Sequence, residues 1–176
     1  AFPTETVYGL GADALNPEAV SKVYEAKGRP SDNPMIVHIS QPQQLYQLTF
    51  EITDDMKTLM ETFWPGPLTM ITPARPEVPR VTTGGLDTVA VRMPDNATTL
   101  ELISETGKPL AGPSANLSGH PSPTTPRHVE DDLQDRIDAI IQGEDCRVGI
   151  ESTVVDMTED IPVILRPGVI TREQLA

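Results

Sequence analysis

The sequence predicts an α/β fold, and three observations support this prediction. Short apolar runs typical of buried strands alternate along the chain with segments whose apolar residues recur at helical spacing. The 18 prolines stand singly at the ends of these segments, as turn and helix-start residues do. At 176 residues, the chain can bury about two-thirds of its unfolded surface. We therefore expect one domain with a substantial core.

The first helix is predicted to begin after Asn16. The Asn16 side chain can cap the helix, and Pro17 occupies the first helical position, where a missing N–H is tolerated. Apolar residues follow at helical spacing as far as Lys27, and Gly28 is a typical stop signal. Lys27 and Arg29 are therefore expected to leave the end of a helix.

The remaining elements are predicted in order along the chain. Residues 35–39 form a short apolar run with β-branched residues, which indicates a buried strand. Thr53 caps a second helix, and the segment 64–67 (WPGP) stops it. Further helices are predicted at 98–105 and 126–133, and further strands at 68–72, 88–93, 109–112, 139–142, 152–157 and 162–166.

Composition excludes several classes of protein. The chain carries 26 acidic and 13 basic residues, a formal net charge of −13, which argues against a broad basic face that follows nucleic acid. Any RNA contact is therefore expected to be local. The single cysteine, Cys146, cannot form an internal disulfide. Because no apolar stretch resembles a membrane helix or a signal peptide, we expect a cytoplasmic protein without a membrane contact.

Four polar segments punctuated by proline and glycine together resemble the walls of a nucleotide site. They are residues 3–9 (PTETVYG), 27–34 (KGRPSDNP), 112–119 (GPSANLSG) and 165–168 (LRPG). Cations lie at the ends of elements beside proline or glycine, where side chains from separate segments can converge on a polyanion. The alternative is that each faces solvent or pairs with a carboxylate. These cations are Lys27, Arg29, Arg92 and Arg166.

Other motifs do not explain these segments. Residues 9–14 (GLGADA) fit a loose dinucleotide fingerprint, but no acidic residue closes a second strand at the required distance. The chain has no Gly-x-x-x-x-Gly-Lys phosphate loop, no Gly-x-Ser-x-Gly elbow and no Cys/His cluster with metal-ligand spacing. His38, taken alone on an apolar strand, is typical of a core histidine. The acidic runs at 130–132 and 144–145 indicate solvated faces.

The order and content of the four segments resemble the threonylcarbamoyl-AMP synthase family, the YrdC-like enzymes, from Ala1 to about Gln174. The resemblance implies a twisted mixed parallel and antiparallel sheet, flanked by helices, with an open concave ligand cleft. It also implies that residues 1–176 form one YrdC-like catalytic domain. Family members normally have a helix and most of a strand before this point, so we expect that these are missing here. The chain is either a natural short form or the catalytic domain of a longer two-domain member.

The resemblance implies the activity of an L-threonylcarbamoyladenylate synthase. Such an enzyme converts L-threonine, bicarbonate and ATP to threonylcarbamoyl-AMP and pyrophosphate, for the modification of adenosine 37 of tRNA. Mg²⁺ is expected to accompany ATP, without an identified protein ligand. The implied partners are the threonylcarbamoyl-transferase machinery that acts on tRNA and, more weakly, tRNA or double-stranded RNA itself.

The resemblance also implies the roles of individual residues. The Lys-x-Arg and Ser-x-Asn pattern that grips ATP matches at Lys27, Arg29, Ser31 and Asn33. Arg92 is expected to pair with the α-carboxylate of threonine. Lys27 and Arg29 are the catalytic candidates. The ATP-binding residues are expected to be Lys27, Arg29, Asn33, Thr88, Ser114, Ser122 and Arg166, and the L-threonine-binding residues Thr6, His38, Arg92, Gly112 and Ser152.

Two alternative functions remain open from the sequence. The first is an RNA-binding module of the same fold without synthase activity, which the negative charge disfavours. The second is a carbamoyl-AMP-forming domain like that of hydrogenase-maturation proteins. The zinc-finger and acylphosphatase regions of those proteins have no counterpart in this chain.

Overall fold

The first helix begins and ends where the sequence signals stand. The computed structural model describes residues 1–176. Asn16 Oδ1 accepts the backbone N–H groups of Glu18 at 3.0 Å and Ala19 at 3.2 Å. Gly28 follows the last helical residue with φ at 60°, a left-handed backbone that glycine adopts at little cost. Helix α1 therefore spans Pro17–Lys27, and its predicted start and stop signals are confirmed.

Helices and strands alternate along the whole chain, as predicted for an α/β fold. None of the helices combines the length and the apolar character that crossing a membrane requires. The other helices are α2 (Asp54–Phe63), α3 (Ala97–Thr106), α4 (Pro126–Leu133) and α5 (Arg172–Leu175), with a 3₁₀-helix at Pro42–Gln47. The strands are β1 (Ala12–Asp13), β2 (Ile36–His38), β3 (Leu68–Pro73), β4 (Thr88–Arg92), β5 (Leu110–Ala111), β6 (Thr153–Asp156) and β7 (Val163–Arg166).

The strands form one mixed sheet in the order β1-β5-β2-β4-β3-β6-β7. Strand β4 pairs in parallel with β2, and β3 pairs in parallel with β6, whereas the other neighbours are antiparallel. The register places Arg92 of β4 between His38 of β2 and Thr69 of β3. The predicted mixed sheet is confirmed, and Arg92 lies near its centre.

The two faces of the sheet differ in what covers them. Side chains alternate between faces along a strand, so every second residue faces the core. Buried Val37, Met70, Val91 and Val155 belong to the main core cluster, together with apolar residues of α1, α2 and α4. The residues between them, such as His38 and Arg92, point to the other face. The main core thus covers one face of the sheet, and the face that carries His38 and Arg92 can form a cleft.

The predicted strand at residues 139–142 is wrong. The Ala1 ammonium donates to the carbonyl of Ala139 at 2.6 Å, and the Ile141 N–H donates to the carbonyl of Ala1 at 2.9 Å. No ladder of paired residues forms there, and the segment is a loop. Ile140 packs against the main core cluster. The apolar run is therefore explained by partial burial and not by strand pairing.

Strand β1 and the 3₁₀-helix were not predicted from the sequence. Strand β1 has two residues, which is too short for an alternating pattern, and it pairs with β5 through Ala12 opposite Ala111. The 3₁₀-helix at Pro42–Gln47 buries only Leu45. Near the start of the chain, Phe2 also forms an isolated antiparallel bridge with Gly9, outside the seven strands.

Candidate active site

A cleft with a volume of about 370 Å³ opens on the sheet face away from the main core. Alternate residues of four strands form its floor, and loops that carry the polar segments form its walls. The floor residues are Ile36, His38, Ile71, Ala90, Arg92 and Val154. The wall residues include Thr4, Thr6, Val7, Gly9, Arg29, Asn33, Pro34, Gly112, Pro113, Ser114, Glu151, Ser152 and Arg166.

Most of the predicted site residues come together in this cleft, and four do not line it: Lys27, Ser31, Thr88 and Ser122. Thr88 lies on the same sheet face as Ala90, two residues further from Arg92 along β4. Ser122 is outside the lining, but its hydroxyl donates to Oε1 of the lining residue Glu151 at 3.2 Å. Lys27 is buried beneath a loop. The predicted residues that line the cleft are Thr6, Arg29, Asn33, His38, Arg92, Gly112, Ser114, Ser152 and Arg166.

Arg92 is held by a buried ion pair with Glu5. The side chains of Arg92 and Glu5 are 4% and 3% exposed, and Arg92 Nη2 donates to Glu5 Oε1. Arg92 Nη1 donates to Thr6 Oγ1 at 2.8 Å, and Nε donates to the carbonyl of Gly66 at 3.2 Å. The other carboxylate oxygen of Glu5 accepts the Asp95 N–H at 3.0 Å. These bonds fix the guanidinium while leaving two of its five N–H donors for a ligand.

His38 is a neutral residue in the cleft floor. Burial lowers its pKa to about 3, and the positive charge of Arg92 acts in the same direction. Its ring packs edge-on against Phe2, with centroids 5.2 Å apart. His38 Nδ1 is buried and has no hydrogen-bond partner. An unpaired buried ring nitrogen is costly, so this atom is a candidate to contact a bound molecule.

Gly112 allows the chain to approach the cleft floor closely. A Cβ at this position would lie 2.7 Å from Phe2 Cζ and 3.1 Å from His38 Nδ1. Real Cβ contacts are longer, so no larger residue fits beside these rings. The Gly112 N–H donates to the carbonyl of Ile36 at 2.9 Å. The loop therefore passes directly over His38.

Arg166 and Glu151 form a second ion pair, at the cleft wall. Arg166 Nη1 donates to Glu151 Oε2 at 2.5 Å, and these side chains are 37% and 40% exposed. Arg166 Nε also donates to the carbonyl of Ser152 at 3.0 Å, and Nη2 donates to Ser152 Oγ at 3.1 Å. Ser152 Oγ is 2.7 Å from Thr69 Oγ1. Arg166 therefore contacts Ser152 of the cleft wall, and Ser152 in turn contacts Thr69 of β3.

Arg29 is positioned by the loop that follows α1. Its Nη2 donates to the carbonyls of Asn33 at 3.2 Å and Pro34 at 3.1 Å. The Tyr24 hydroxyl donates to the same Asn33 carbonyl at 2.8 Å, which ties the loop to the helix. Arg29 Nε is buried without a partner. Arg29 thus retains donors for an anion in the cleft.

Lys27 holds the loop at residues 112–119 and does not line the cleft. Lys27 Nζ donates to the carbonyl of Asn116 at 2.8 Å and to that of Ser114. Burial, together with repulsion from Arg29, lowers the pKa of Lys27 to about 8. The ammonium therefore positions Ser114 from behind. Its positive charge still contributes to the field in the cleft, because burial weakens screening.

Glu5, Glu151 and Thr4 contribute to the site without having been singled out in the sequence. Thr4 Oγ1 donates to the carbonyl of Val7 at 2.6 Å and accepts the N–H groups of Thr6 and Val7 at 3.2 Å. Glu5 sits within a polar segment that the sequence did mark, and Glu151 directly precedes a predicted ligand residue. The sequence signal that could have identified Glu5 and Glu151 was therefore their position next to the predicted ligand residues Thr6 and Ser152.

The structure offers no ready metal cage. No group of three or more His, Cys, Asp and Glu side chains is arranged to hold an ion. Glu151 is the one carboxylate that lines the cleft, and Arg166 and Ser122 already bind it. A Mg²⁺ ion at this site would have to rely on oxygens of its ligand and of water.

The arrangement favours the binding of anions over covalent catalysis by the protein. Ser152 Oγ contacts Thr69 and Arg166 but no histidine or carboxylate that would take its proton. Cys146 lies outside the cleft lining, and burial raises the pKa of its thiol to about 11. Arg29, Arg92 and Arg166 converge on one cavity. The cleft can therefore position two anionic groups side by side and offset their repulsion.

Comparison with known sequences shows which proteins this chain is similar to. The family of Sua5, YciO and YrdC proteins, which carries the description "Telomere recombination", has a sequence model that matches residues 1–168. The threonylcarbamoyl-AMP synthase of Bacillus subtilis (strain 168) is 59% identical over 177 residues, covering 99% of this chain and 51% of that protein. The chain spans about half the length of these curated relatives, with 52% of the Pyrococcus abyssi synthase covered.

Solved structures agree with the sequence comparison. P. abyssi Sua5 complexed with L-threonine superimposes with a TM-score of 0.97 at 55% identity, over 99% of this chain and 52% of that one. E. coli YciO superimposes with a TM-score of 0.85 at 26% identity, over 99% of this chain and 85% of that one. The similarity therefore extends over nearly all of the described fold.

Proposed function

The chain belongs to the family of Sua5, YciO and YrdC proteins, and we propose that it is the catalytic unit of a threonylcarbamoyl-AMP synthase. Its substrates would be L-threonine, bicarbonate and ATP. One observation carries the proposal: three arginines from separate elements meet in a cleft of a chain 59% identical to a synthase of that name. The fold similarity to a Sua5 protein with bound L-threonine adds support.

The proposed reaction has two steps that need no protein nucleophile. The neutral amine of threonine attacks the carbon of bicarbonate, giving the carbamate and releasing water. A carbamate oxygen then attacks the α-phosphorus of ATP, and the bond to the bridging oxygen breaks so that pyrophosphate leaves with the electron pair. The attacking group comes from the substrate. The protein would contribute position and positive charge, as the composition of the cleft suggests.

We assign threonine to the floor around Arg92. The free donors of Arg92 suit an α-carboxylate, since guanidinium and carboxylate can form two parallel hydrogen bonds. Neutral His38, with its unpaired Nδ1, can accept a hydrogen bond from an amine or hydroxyl. Thr6 and Ser152 supply hydroxyls, and Gly112 provides backbone where a side chain would collide with the ring of Phe2.

We assign ATP to the walls beside the threonine site. Arg29 and Arg166 would bind phosphate oxygens, and Asn33, Thr88, Ser114 and Ser122 would surround the nucleotide. Lys27 would act through its charge and by holding the carbonyl of Ser114. We propose Lys27 and Arg29 as the catalytic cations, because positive charge close to the transferring phosphoryl group stabilises its transition state.

We propose that Mg²⁺ enters with ATP. It would neutralise part of the phosphate charge and polarise the reacting phosphorus. This chain would hold it indirectly, through the arginines that bind the same phosphates.

We also propose that the adenylate passes to threonylcarbamoyl-transferase machinery that acts on tRNA. The net charge of −13 favours transfer of a small molecule over tight RNA binding by this chain. Because the acceptor is tRNA, the compartment we propose is the cytoplasm. A local contact with tRNA or double-stranded RNA would be weak.

The experiment that tests the proposal is pyrophosphate release from Mg-ATP and bicarbonate, with and without L-threonine, with mass spectrometry of the nucleotide product. We expect release that depends on threonine and an adduct with the mass of threonylcarbamoyl-AMP. Absence of both, in a folded chain that does not bind ATP or threonine, would rule the proposal out. Salt-sensitive RNA binding without turnover would support an RNA-binding module instead.

A further inference from the structure

Glu151 places a negative charge where the proposed function needs a positive site. It is the one carboxylate in the cleft lining, and its two oxygens bind Arg166 Nη1 at 2.5 Å and Ser122 Oγ at 3.2 Å. Burial lowers the pKa of both Lys27 and Arg29, and the nearby negative charge of Glu151 partly offsets that lowering. A fixed carboxylate among these cations opposes the approach of a polyphosphate.

Arg166 does not depend on Glu151 for its orientation. Its Nε binds the carbonyl of Ser152 at 3.0 Å, and its Nη2 binds Ser152 Oγ at 3.1 Å. The backbone of Arg166 is paired with β6 through Val154. The bond from Nη1 to Glu151 is therefore the one contact that a ligand can replace without displacing the arginine.

A carboxylate and a phosphate are interchangeable partners for a guanidinium. Both present acceptor oxygens that take charge-assisted hydrogen bonds in the same fork geometry. The Glu151 side chain is 40% exposed, so it is free to turn toward solvent when it is displaced. Its departure would free an N–H donor on Arg166 Nη1 and the hydroxyl of Ser122 together.

We propose that Glu151 is a built-in anionic competitor, which occupies the phosphate position on Arg166 until ATP displaces it and which returns when pyrophosphate leaves. The proposal rests on the assignment of the phosphates to Arg166 under the proposed function. It assigns Glu151 a role in setting the affinity of the site for polyphosphate. Competition by Glu151 weakens the binding of polyphosphate at Arg166. Because of this weaker binding, pyrophosphate, a multiply charged product, can leave more readily.

The test is the affinity of the intact chain for inorganic pyrophosphate, measured by isothermal titration calorimetry. Glu151→Gln keeps the size and the hydrogen-bonding oxygen but removes the charge. Because one unit charge near the bound anion is lost, we expect pyrophosphate to bind about three- to tenfold more tightly. Glu151→Asp keeps the charge and is expected to stay closer to the original affinity.

Glu61→Gln is the matched control for the change in net charge. Glu61 is exposed on α2 and does not line the cleft. We expect its substitution to leave pyrophosphate affinity almost unchanged. Equal gains in Glu61→Gln and Glu151→Gln would overturn the proposal, because they would reflect net charge alone. Unchanged or weaker pyrophosphate binding by Glu151→Gln would also overturn it.

A second measurement separates this proposal from the proposed function. Threonine-dependent formation of the adenylate tests the function, whereas pyrophosphate affinity tests the role of Glu151. Tighter pyrophosphate binding by Glu151→Gln, in a chain that neither binds threonine or ATP nor turns them over, would support the role of Glu151 and rule out the synthase. Where turnover occurs, we expect pyrophosphate to inhibit Glu151→Gln at lower concentration than the original chain. The opposite order of inhibition would contradict the proposal.

Discussion

Arg92 combines a structural role and a proposed binding role in one side chain. It is buried in the sheet, and its charge is balanced by that of the equally buried Glu5. Loss of one partner from a buried ion pair leaves an unpaired charge, which costs about 3–5 kcal/mol. Glu5 in turn is tied to the backbone of Asp95. A change at Arg92 therefore affects both the fold and the proposed threonine site.

Arg92→Ala is expected to weaken threonine binding much more than ATP binding. Loss of a charge-assisted contact to the α-carboxylate corresponds to about 1.5–3 kcal/mol, on the order of 10- to 100-fold in threonine affinity. Calorimetric titration of each ligand would measure this. Urea unfolding would show the accompanying loss of stability.

The double variant Glu5→Gln/Arg92→Met separates the two effects. It removes both buried charges, so it is expected to be more stable than Arg92→Ala and still not to bind threonine tightly. Equal losses of threonine and ATP affinity in a stable double variant would contradict the assignment of Arg92.

The sequence indicated the cations of the cleft better than their anionic partners. Arg29 and Arg166 lie within marked segments, Arg92 stands at a predicted strand end just before a proline, and the structure brings all three to one cavity. Glu5 and Glu151 come from loops whose geometry has no periodic pattern. Whether such a carboxylate faces solvent or a buried arginine depends on contacts between residues 87 positions apart, as for Glu5 and Arg92. Those contacts are tertiary and leave no local signal.

At the scale of elements, the end of α1 connects local backbone geometry to the part of the cleft that we propose for the nucleotide. Gly28 adopts a φ of 60°, and the chain then turns so that Arg29 enters the cleft and Lys27 stays beneath it. Nothing lies within 4 Å of the position that a Cβ would take at Gly28. A substitution there would therefore act through backbone strain and not through a collision.

Gly28→Ala is expected to lower the free energy of unfolding by about 1 kcal/mol and to weaken ATP binding as well. Gly107→Ala is the matched control. Gly107 ends α3 with a φ of 64°, has equally open space and does not line the cleft. Its substitution should cost similar stability, measured by urea unfolding, and leave ATP affinity unchanged. Equal effects of the two variants on ATP affinity would argue against a role for the α1 terminus.

Helices were easier to predict than short strands, for a physical reason. The caps at Asn16 and Thr53 are local, and both accept backbone N–H groups of the helix that follows. Strand β1 has two residues and exists because β5 lies beside it. Residues 139–142 have the apolar composition of a strand but no neighbour to pair with in a ladder. Strand pairing is a property of the sheet, and one segment does not reveal it.

At the scale of the whole molecule, the neutral state of His38 links the fold to pH. Its ordinary pKa of 6.5 falls to about 3 in the fold, chiefly because it is buried. Below pH 6.5, His38 therefore binds a proton in the unfolded chain but stays neutral in the folded chain. The contribution of His38 to stability is complete above that pH and is lost as the pH falls toward 3.

The free energy of unfolding is therefore expected to fall as pH is lowered from about 7 to about 4.5, and to fall less steeply in His38→Gln. Urea unfolding across this range would measure both slopes. His128→Gln replaces an exposed histidine and should keep the slope of the original chain. Parallel curves for the original chain and His38→Gln would contradict the neutral buried state of His38.

The strand order also divides the cleft into parts of unequal stiffness. Arg92 lies on β4, with β2 and β3 hydrogen-bonded on either side, whereas Arg166 lies on the edge strand β7, which has β6 as its single neighbour. Edge strands open locally at a lower free energy than central ones. The proposed threonine site around Arg92 is thus expected to be the stiffer part of the cleft, and any opening that admits or releases a nucleotide is expected at the edge formed by β7.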